Sequence, residues 1–158
     1  MPTRTSTGFR FAVLDNVKDV ILQNCILRLY SGTQPADSDT TEGSSVLLAE
    51  VTLDGGAFVS GVSTNGLNWG TVVDNGDGTI AILPKDGTVW KGVALADGTI
   101  AWGRLFANTV VTGDSDTAVR IDGQALTTSG ADFVVSTQTT KTGVEVVVTE
   151  CNIKLPYN

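Results

Sequence analysis

Hydrophobic and polar residues alternate along most of this chain. Over residues 25–30, "CILRLY", Leu27 and Leu29 fall on one face, and Arg28 and Tyr30 fall on the other. The same two-residue period predicts ten short strands, at residues 25–30, 46–53, 57–62, 67–74, 79–84, 88–95, 99–107, 118–126, 131–136 and 144–155. Strands at this spacing are typical of an antiparallel sandwich or barrel. We therefore predict an all-β fold, mainly an antiparallel, jelly-roll-like β-sandwich, with a short N-terminal amphipathic helix.

The helix is predicted from a second period, which precedes the strands. Phe9, Val13, Val17 and Val20 recur at spacings of four, four and three, as an apolar helix face does. Ser6 or Thr7 could cap the helix, and Asp15-Asn16 could divide it into two shorter turns. An amphipathic helix must pack on something, and we expect it to lie on a face or edge of the sheet. Residues 1–8 are expected to form a flexible N-terminal arm, and residues 9–158 a single domain.

Turn residues and polar stretches divide the strands. "NGDG" at residues 75–78 is the strongest hairpin signal, because Asn-Gly and Asp-Gly tolerate the positive φ that such turns need. "ADG" at residues 96–98 predicts another hairpin. Two stretches, residues 31–45 and 110–117, are longer than a hairpin requires and are both acidic. Loops of that length in a compact domain are usually functional or mobile.

The composition limits the classes of binding partner that are expected. The chain of 158 residues is 41% hydrophobic, with a formal net charge of −7 and a pI near 4.3. An acidic chain repels phosphate backbones and anionic lipids, so neither nucleic acid nor a membrane is expected as a partner. Arg4 and Arg10 lie in a segment without acids, which gives a mildly basic arm before an acidic body. No stretch predicts a signal peptide or a spanning helix.

The residue types disfavour catalysis. The sequence contains no His, which excludes Ser-His-Asp, Cys-His and His-metal sites, and it has no glycine-rich nucleotide motif. Paired carboxylates of a glycosidase would need aromatic platforms, and only 6% of the residues are aromatic. Trp69, Trp90 and Trp102 lie in apolar strands, which favours packing or a subunit contact. We predict a protein that is not an enzyme and has no cofactor, no metal and no small-molecule substrate.

Two questions about ligands and redox state stay open at the level of the sequence. "DNGDGT" at residues 74–79 fails the EF-hand register, because glycines occupy its third and fifth positions. The oxygen-rich acidic loops leave a weak calcium site as an alternative. Cys25 and Cys151 are expected to be buried free thiols, although a bridge between them is possible.

The order of several segments resembles a group of small structural proteins of tailed bacteriophages and prophages. The matching segments are "LRLYSGTQPADSD" (27–39), "LLAEVTL" (47–53), "DGTIAWGRLFA" (97–107) and a closing "IDGQALTTSGADFVVSTQTTKTGVEVVVTECNIKLP" (121–156). They correspond to that group's "IYSGTQP"-type strand end, its "GTATWFRLY"-type strand and its final pair of strands. The chain departs from the pattern at Gly103, where the group usually has a bulky residue. Its middle, residues 66–97, is also longer than is typical.

The resemblance implies a virion protein, made in the bacterial host cytoplasm, without enzymatic activity. We predict a head decoration (cement) protein that binds the capsid surface and other virion proteins, and that forms a homo-oligomer. The partner-binding residues are predicted to be Thr3, Arg4, Thr5, Phe9 and Arg10 of the arm and the helix start. The alternatives are a tail or baseplate protein, or a carbohydrate- or receptor-binding module that uses the loops 31–45 and 110–117.

Overall fold

The structure, a computed structural model, describes residues 4–156. Within that range an α-helix, α1 (Thr7–Asn16), continues into one π-helical turn at Val17–Ile21. Eleven strands follow in the described range: β1 (Ile26–Tyr30), β2 (Leu47–Leu53), β3 (Val73–Asp74), β4 (Ile80–Pro84), β5 (Trp90–Val93), β6 (Gly98–Thr99), β7 (Trp102–Phe106), β8 (Arg120–Leu126), β9 (Phe133–Val135), β10 (Thr139–Thr140) and β11 (Glu145–Pro156). The predicted all-β class with a short N-terminal helix is confirmed.

The main sheet closes on itself. Its order is β3-β4-β11-β5-β2-β1-β7-β8-β9, and β9 pairs again with β11. Seven of the described strands therefore form a barrel, while β3 and β4 extend the C-terminal half of β11 as a wing. The predicted jelly-roll-like sandwich is not confirmed. The reason is β11, which pairs with β5 and also with β9 and so joins the two sheets that a sandwich would keep apart.

The barrel interior follows the alternation seen in the sequence. Leu27 and Leu29 of β1 point inward, as predicted, and both are fully buried. Other strands supply the buried residues Leu48, Val51, Trp90, Leu105, Ala125, Phe133, Val146 and Val148 to the same core. Burial of this many aliphatic and aromatic side chains is the main force that holds the barrel together.

Two predicted strands are largely absent from the described structure. Residues 57–62 form turns and irregular chain, and of residues 67–74 only Val73–Asp74 are in a strand. Gly55 and Gly61 adopt left-handed φ values of 71° and 77°, which interrupt extended backbone. The backbone N–H of Leu53 then bonds to Asn65 at 3.1 Å, so β2 is followed by a loop and not by a hairpin.

One predicted hairpin is confirmed and one is wrong. At "NGDG", β3 pairs with β4, and Asp74 Oδ1 accepts the N–H groups of Gly76 and Gly78 at 2.7 and 3.0 Å. At "ADG", β5 does not pair with β7. Asp97 instead accepts the N–H of Thr142 at 2.8 Å, which directs the chain toward β10 and away from a tight turn. Within residues 4–156 no helix is both long and apolar enough to cross a bilayer.

Candidate functional site

The candidate surface is the N-terminal helix, which begins at a side-chain cap. Ser6 has extended backbone angles, and its Oγ accepts the N–H of Phe9 at 3.2 Å. This bond satisfies one of the first-turn donors that a helix leaves unpaired. Of the two predicted caps, Ser6 is the one the structure uses. Asp15-Asn16 does not divide the helix into two shorter turns, because after Asn16 the chain continues directly into the wider π-helical turn.

Arg10 anchors the helix to the wing of the sheet. Its side chain is 1% exposed, and its guanidinium donates to the Gly78 carbonyl at 2.5 Å, the Thr5 carbonyl at 2.6 Å and Thr7 Oγ1 at 3.2 Å. These bonds connect the helix start to the β3–β4 turn. Arg10 was predicted to contact a partner, but the structure buries it, because the guanidinium satisfies carbonyls that would otherwise lack donors. Its role here is to fix the helix.

The buried face of the helix differs from the predicted stripe. Leu14 is buried and packs with Ala81 and Leu83 of β4, while Phe11 and Val17 cover the edge of that cluster. The stripe Phe9, Val13, Val17 and Val20 was expected to face the sheet. Val17 does pack against the buried cluster, whereas Phe9 is 58% exposed, Val20 is 67% exposed and Val13 is half-buried. The prediction is wrong for Phe9 and Val20, because Arg10 and Leu14 are the residues that hold the helix against the wing.

The outer patch, defined here as Phe9, Val13 and Val20, therefore lies on the solvent side of an anchored helix. Of the other predicted contact residues, Arg4 is exposed and Thr5 is half-buried, and Thr3 lies outside the described residues. Arg4, Thr5, Ser6 and Phe9 line a shallow hollow of about 430 Å³. The structure thus brings together Arg4, Thr5 and Phe9 at the surface, whereas Arg10 is buried and bonds to the Thr5 carbonyl.

The second predicted surface, the two acidic loops, forms one packed layer. We call residues 31–46 the covering loop, because they lie over the outer face of β1, β7 and β8. The N–H of Thr41 donates to Asp114 Oδ1 at 2.9 Å, and the N–H of Ser115 donates to the Asp39 carbonyl at 2.8 Å. The two long loops therefore hold each other in place on the barrel.

Buried arginines attach the covering loop to the sheet. Arg104 is fully buried and donates to the Thr40 carbonyl at 2.8 Å, and Arg120 donates to the Ser38 carbonyl at 3.2 Å. Tyr30 and Trp102 stack beneath the loop, with ring centroids 4.6 Å apart. Burial, together with the nearby Glu42 charge, raises the pKa of Tyr30 to about 12. Sequence reasoning missed this network, although an Arg inside the apolar run "TIAWGRLFA" was a signal for it.

Both cysteines are buried free thiols, which confirms the expected state. Burial raises the pKa of the Cys25 thiol to about 12, and burial also raises the pKa of the Cys151 thiol well above its usual range. A thiol that stays protonated is a poor nucleophile and a poor metal ligand. Over residues 4–156 no group of three or more Cys, Asp and Glu side chains is arranged to hold a metal ion.

Comparison with known proteins does not assign this chain to a family. No family model matches the chain, and no curated protein or solved structure is significantly similar to it. The resemblance drawn from the sequence motifs therefore remains a prediction.

Proposed function

We propose that this chain is a non-enzymatic structural protein of a tailed-phage virion, and that it decorates the head by binding the capsid surface. Two things support the proposal. The first is the order of the motifs from "LRLYSGTQP" to the closing strands. The second is a barrel with an anchored helix whose outer side exposes Phe9 and Val20, which suits a protein whose task is attachment.

The outer patch is the observation that carries the proposal. Single exposed apolar residues are common on protein surfaces, but apolar residues repeated along one helix are typical of a contact with another protein. Phe9 and Val20 are more than half exposed, on a helix that Arg10 and Leu14 hold against the wing. A helix that is already in place loses little conformational entropy on binding, which favours association.

Arg4 places a positive charge next to the outer patch. It is exposed beside Phe9, at the hollow where the described chain begins. The body of the protein is acidic, with a net charge of −7 for the whole chain, so a cation next to an apolar ring is locally distinct. The complementary surface on the shell would be an apolar pocket bordered by carboxylates. Docked copies on a symmetric shell would form a closed homo-oligomer or occupy equivalent positions.

The loop surface is a weaker candidate for binding carbohydrate. Its aromatic residues Tyr30 and Trp102 are buried below the covering loop, at 3% and 1% exposure. A sugar-binding platform needs an accessible aromatic face, so these rings are not positioned for that task.

Cryo-electron microscopy of virions of the phage that encodes this chain tests the proposal. We expect density for the barrel on the outside of the head, with α1 toward the shell. Density on the tail or baseplate would show that the chain is a tail or baseplate protein and not a head decoration protein. Virions in which mass spectrometry finds none of this chain would contradict a structural role altogether.

A further inference from the structure

The barrel wall has a gap between β8 and β11. The strand β9 is only three residues long and pairs with Ala125 and Leu126 of β8 on one side and with the middle of β11 on the other. On the side where β9 begins, residues 120–124 of β8 and residues 152–156 of β11 have no described strand between them. We call this opening the β8–β11 slot.

The slot is one strand wide where it meets β9. Because β9 pairs with both strands there, β8 and β11 are separated by two interstrand spacings, or about 9.6 Å. The cavity in the slot has a volume of about 230 Å³. The side chain of Asp132 closes the end next to β9, where its Oδ2 accepts the N–H of Gln124 at 2.9 Å.

Both edges turn backbone groups into the slot. The N–H of Gln124 points toward the slot, and alternation along the strand turns the N–H and C=O groups of Asp122 the same way. On β11, the Cys151 carbonyl accepts the N–H of Lys85 on the β4 side at 2.8 Å. Alternation then turns the backbone groups of Asn152 and Lys154 toward the slot. Unpaired edges of this kind are templates for another strand.

The lining suits an extended chain with alternating side chains. Four apolar side chains form the floor: Leu105, Ile121, Phe133 and Ile153. Asp132 and Lys154 lie at the rim, and Lys154 forms no ion pair within residues 4–156. Asp122 is already neutralised by Arg104. The rim therefore offers one carboxylate and one ammonium group to a guest.

We propose that the slot accepts an extended segment of a partner chain, which adds a strand in line with β9 and completes the wall. The segment has apolar side chains at alternate positions to cover the floor, a cation beside Asp132 and an anion beside Lys154. This is β-strand addition, in which main-chain bonds supply the affinity and the alternate side chains supply the specificity. The inference rests on the sheet geometry and does not depend on a location in a virion.

Amide hydrogen exchange of the full chain, followed by NMR, tests the proposal. The probe is the peptide acetyl-KVEVTV-amide at millimolar concentration, whose cation and anion are two residues apart, and its control is the same peptide with N-methyl groups on alternate backbone nitrogens. We expect the first peptide to slow exchange at Asp122, Asn152 and Lys154 by about tenfold or more, because these amides gain partners. The methyl groups block one edge of the N-methylated peptide, so it cannot pair with both walls of the slot and should slow none of them.

A pair of variants separates backbone pairing from charge. The N–H of Lys154 faces the slot and not β4, so Lys154→Pro should fold but should weaken peptide binding by about tenfold. Lys154→Ala keeps the N–H and should change binding by about threefold or less. Equal binding by Lys154→Pro and wild type would overturn the proposal.

Two other outcomes would also overturn it. The first is slow exchange at all three amides in the free monomer with no change on adding peptide, which would mean that the slot is already closed. The second is protection that grows with protein concentration alone, together with a dimer in sedimentation. That result would make a second copy the occupant in place of a foreign segment.

Discussion

Arg104 and Asp122 form a bidentate ion pair across β7 and β8, with Nε–Oδ1 at 2.6 Å and Nη2–Oδ2 at 2.7 Å. The Arg104 side chain is fully buried and that of Asp122 is 4% exposed. Arg104 also donates to the Thr40 carbonyl, so one guanidinium joins two strands and the covering loop. Planar, forked geometry of this kind is among the strongest hydrogen bonding that side chains offer.

Breaking this pair on one side should be costly. Arg104→Met would leave the Asp122 carboxylate buried without its cation, and we expect the free energy of unfolding to fall by about 3–5 kcal/mol. Urea denaturation followed by fluorescence measures the change. The matched control is Lys141→Met, which removes the exposed Lys141–Asp97 pair and should leave the free energy of unfolding close to that of wild type. Similar losses for the two variants would show that the Arg104 network does not hold the loop.

Gly103 faces the barrel interior, where there is little room for a side chain. A Cβ at this position would lie 3.0–3.2 Å from Phe133, Leu27 and Leu29. We expect Gly103→Ala to lower the free energy of unfolding by about 1–3 kcal/mol through overpacking. A Cβ at Gly87 would have no neighbour within 4 Å, so Gly87→Ala should stay within about 0.5 kcal/mol of wild type. Thermal or urea unfolding of Gly103→Ala and Gly87→Ala measures this difference in stability.

Arg10 and Phe9 are adjacent in sequence, but substitutions at the two positions should have different effects on stability. Arg10→Met removes the bonds to Gly78, Thr5 and Thr7, and we expect about 2–3 kcal/mol of lost stability and faster amide exchange in α1. Phe9→Ser removes an exposed ring and should change stability by about 0.5 kcal/mol or less. If Phe9→Ser destabilised the fold as much as Arg10→Met, the ring would belong to the core and not to a contact surface.

The buried thiols predict a loss of stability at alkaline pH. In the unfolded chain a thiol ionises near pH 9, whereas burial raises the pKa of Cys25 to about 12 in the folded protein. The folded state therefore keeps a proton that the unfolded state releases, and the contribution is complete below about pH 9 and is lost as the pH rises toward 12. Comparing urea unfolding near pH 7 and pH 10 for wild type and Cys25→Ala tests this, and Cys25→Ala should show the shallower decline.

Thiol labelling gives an independent check on burial. We expect Ellman's reagent to leave both cysteines of the native protein unmodified near pH 8 and to modify both after unfolding. Fast labelling of the native protein would place Cys25 or Cys151 at the surface, contrary to the structure.

The sequence predicted local periods well and long-range pairing poorly. The alternation at Leu27 and Leu29 and the turn at Asp74 follow from neighbouring residues, and both are present in the structure. Closure of the barrel depends on which strands β11 pairs with, and no local pattern carries that information. The same limit explains the helix. The period identified α1, but only the position of Gly78 and β4 determines that Arg10 faces inward and Phe9 outward.

The structure also changes how the contact surface should be tested. Deleting residues 2–8 would remove the Ser6 cap and two partners of Arg10, so any lost binding could reflect a loosened helix. Substitutions on the outer patch leave those anchors intact. Val62 provides a control, because it is 74% exposed in the loop after β2, which is separate from α1 in sequence.

Co-sedimentation with purified heads that lack this chain tests the central claim most directly. We predict that wild type and Val62→Ser bind the heads equally, whereas Phe9→Ser/Val20→Ser stays folded and binds at least about tenfold more weakly, since two buried apolar contacts are lost. Equal binding by Phe9→Ser/Val20→Ser and wild type would contradict attachment through α1. Failure of wild type to bind heads at all would contradict head decoration itself.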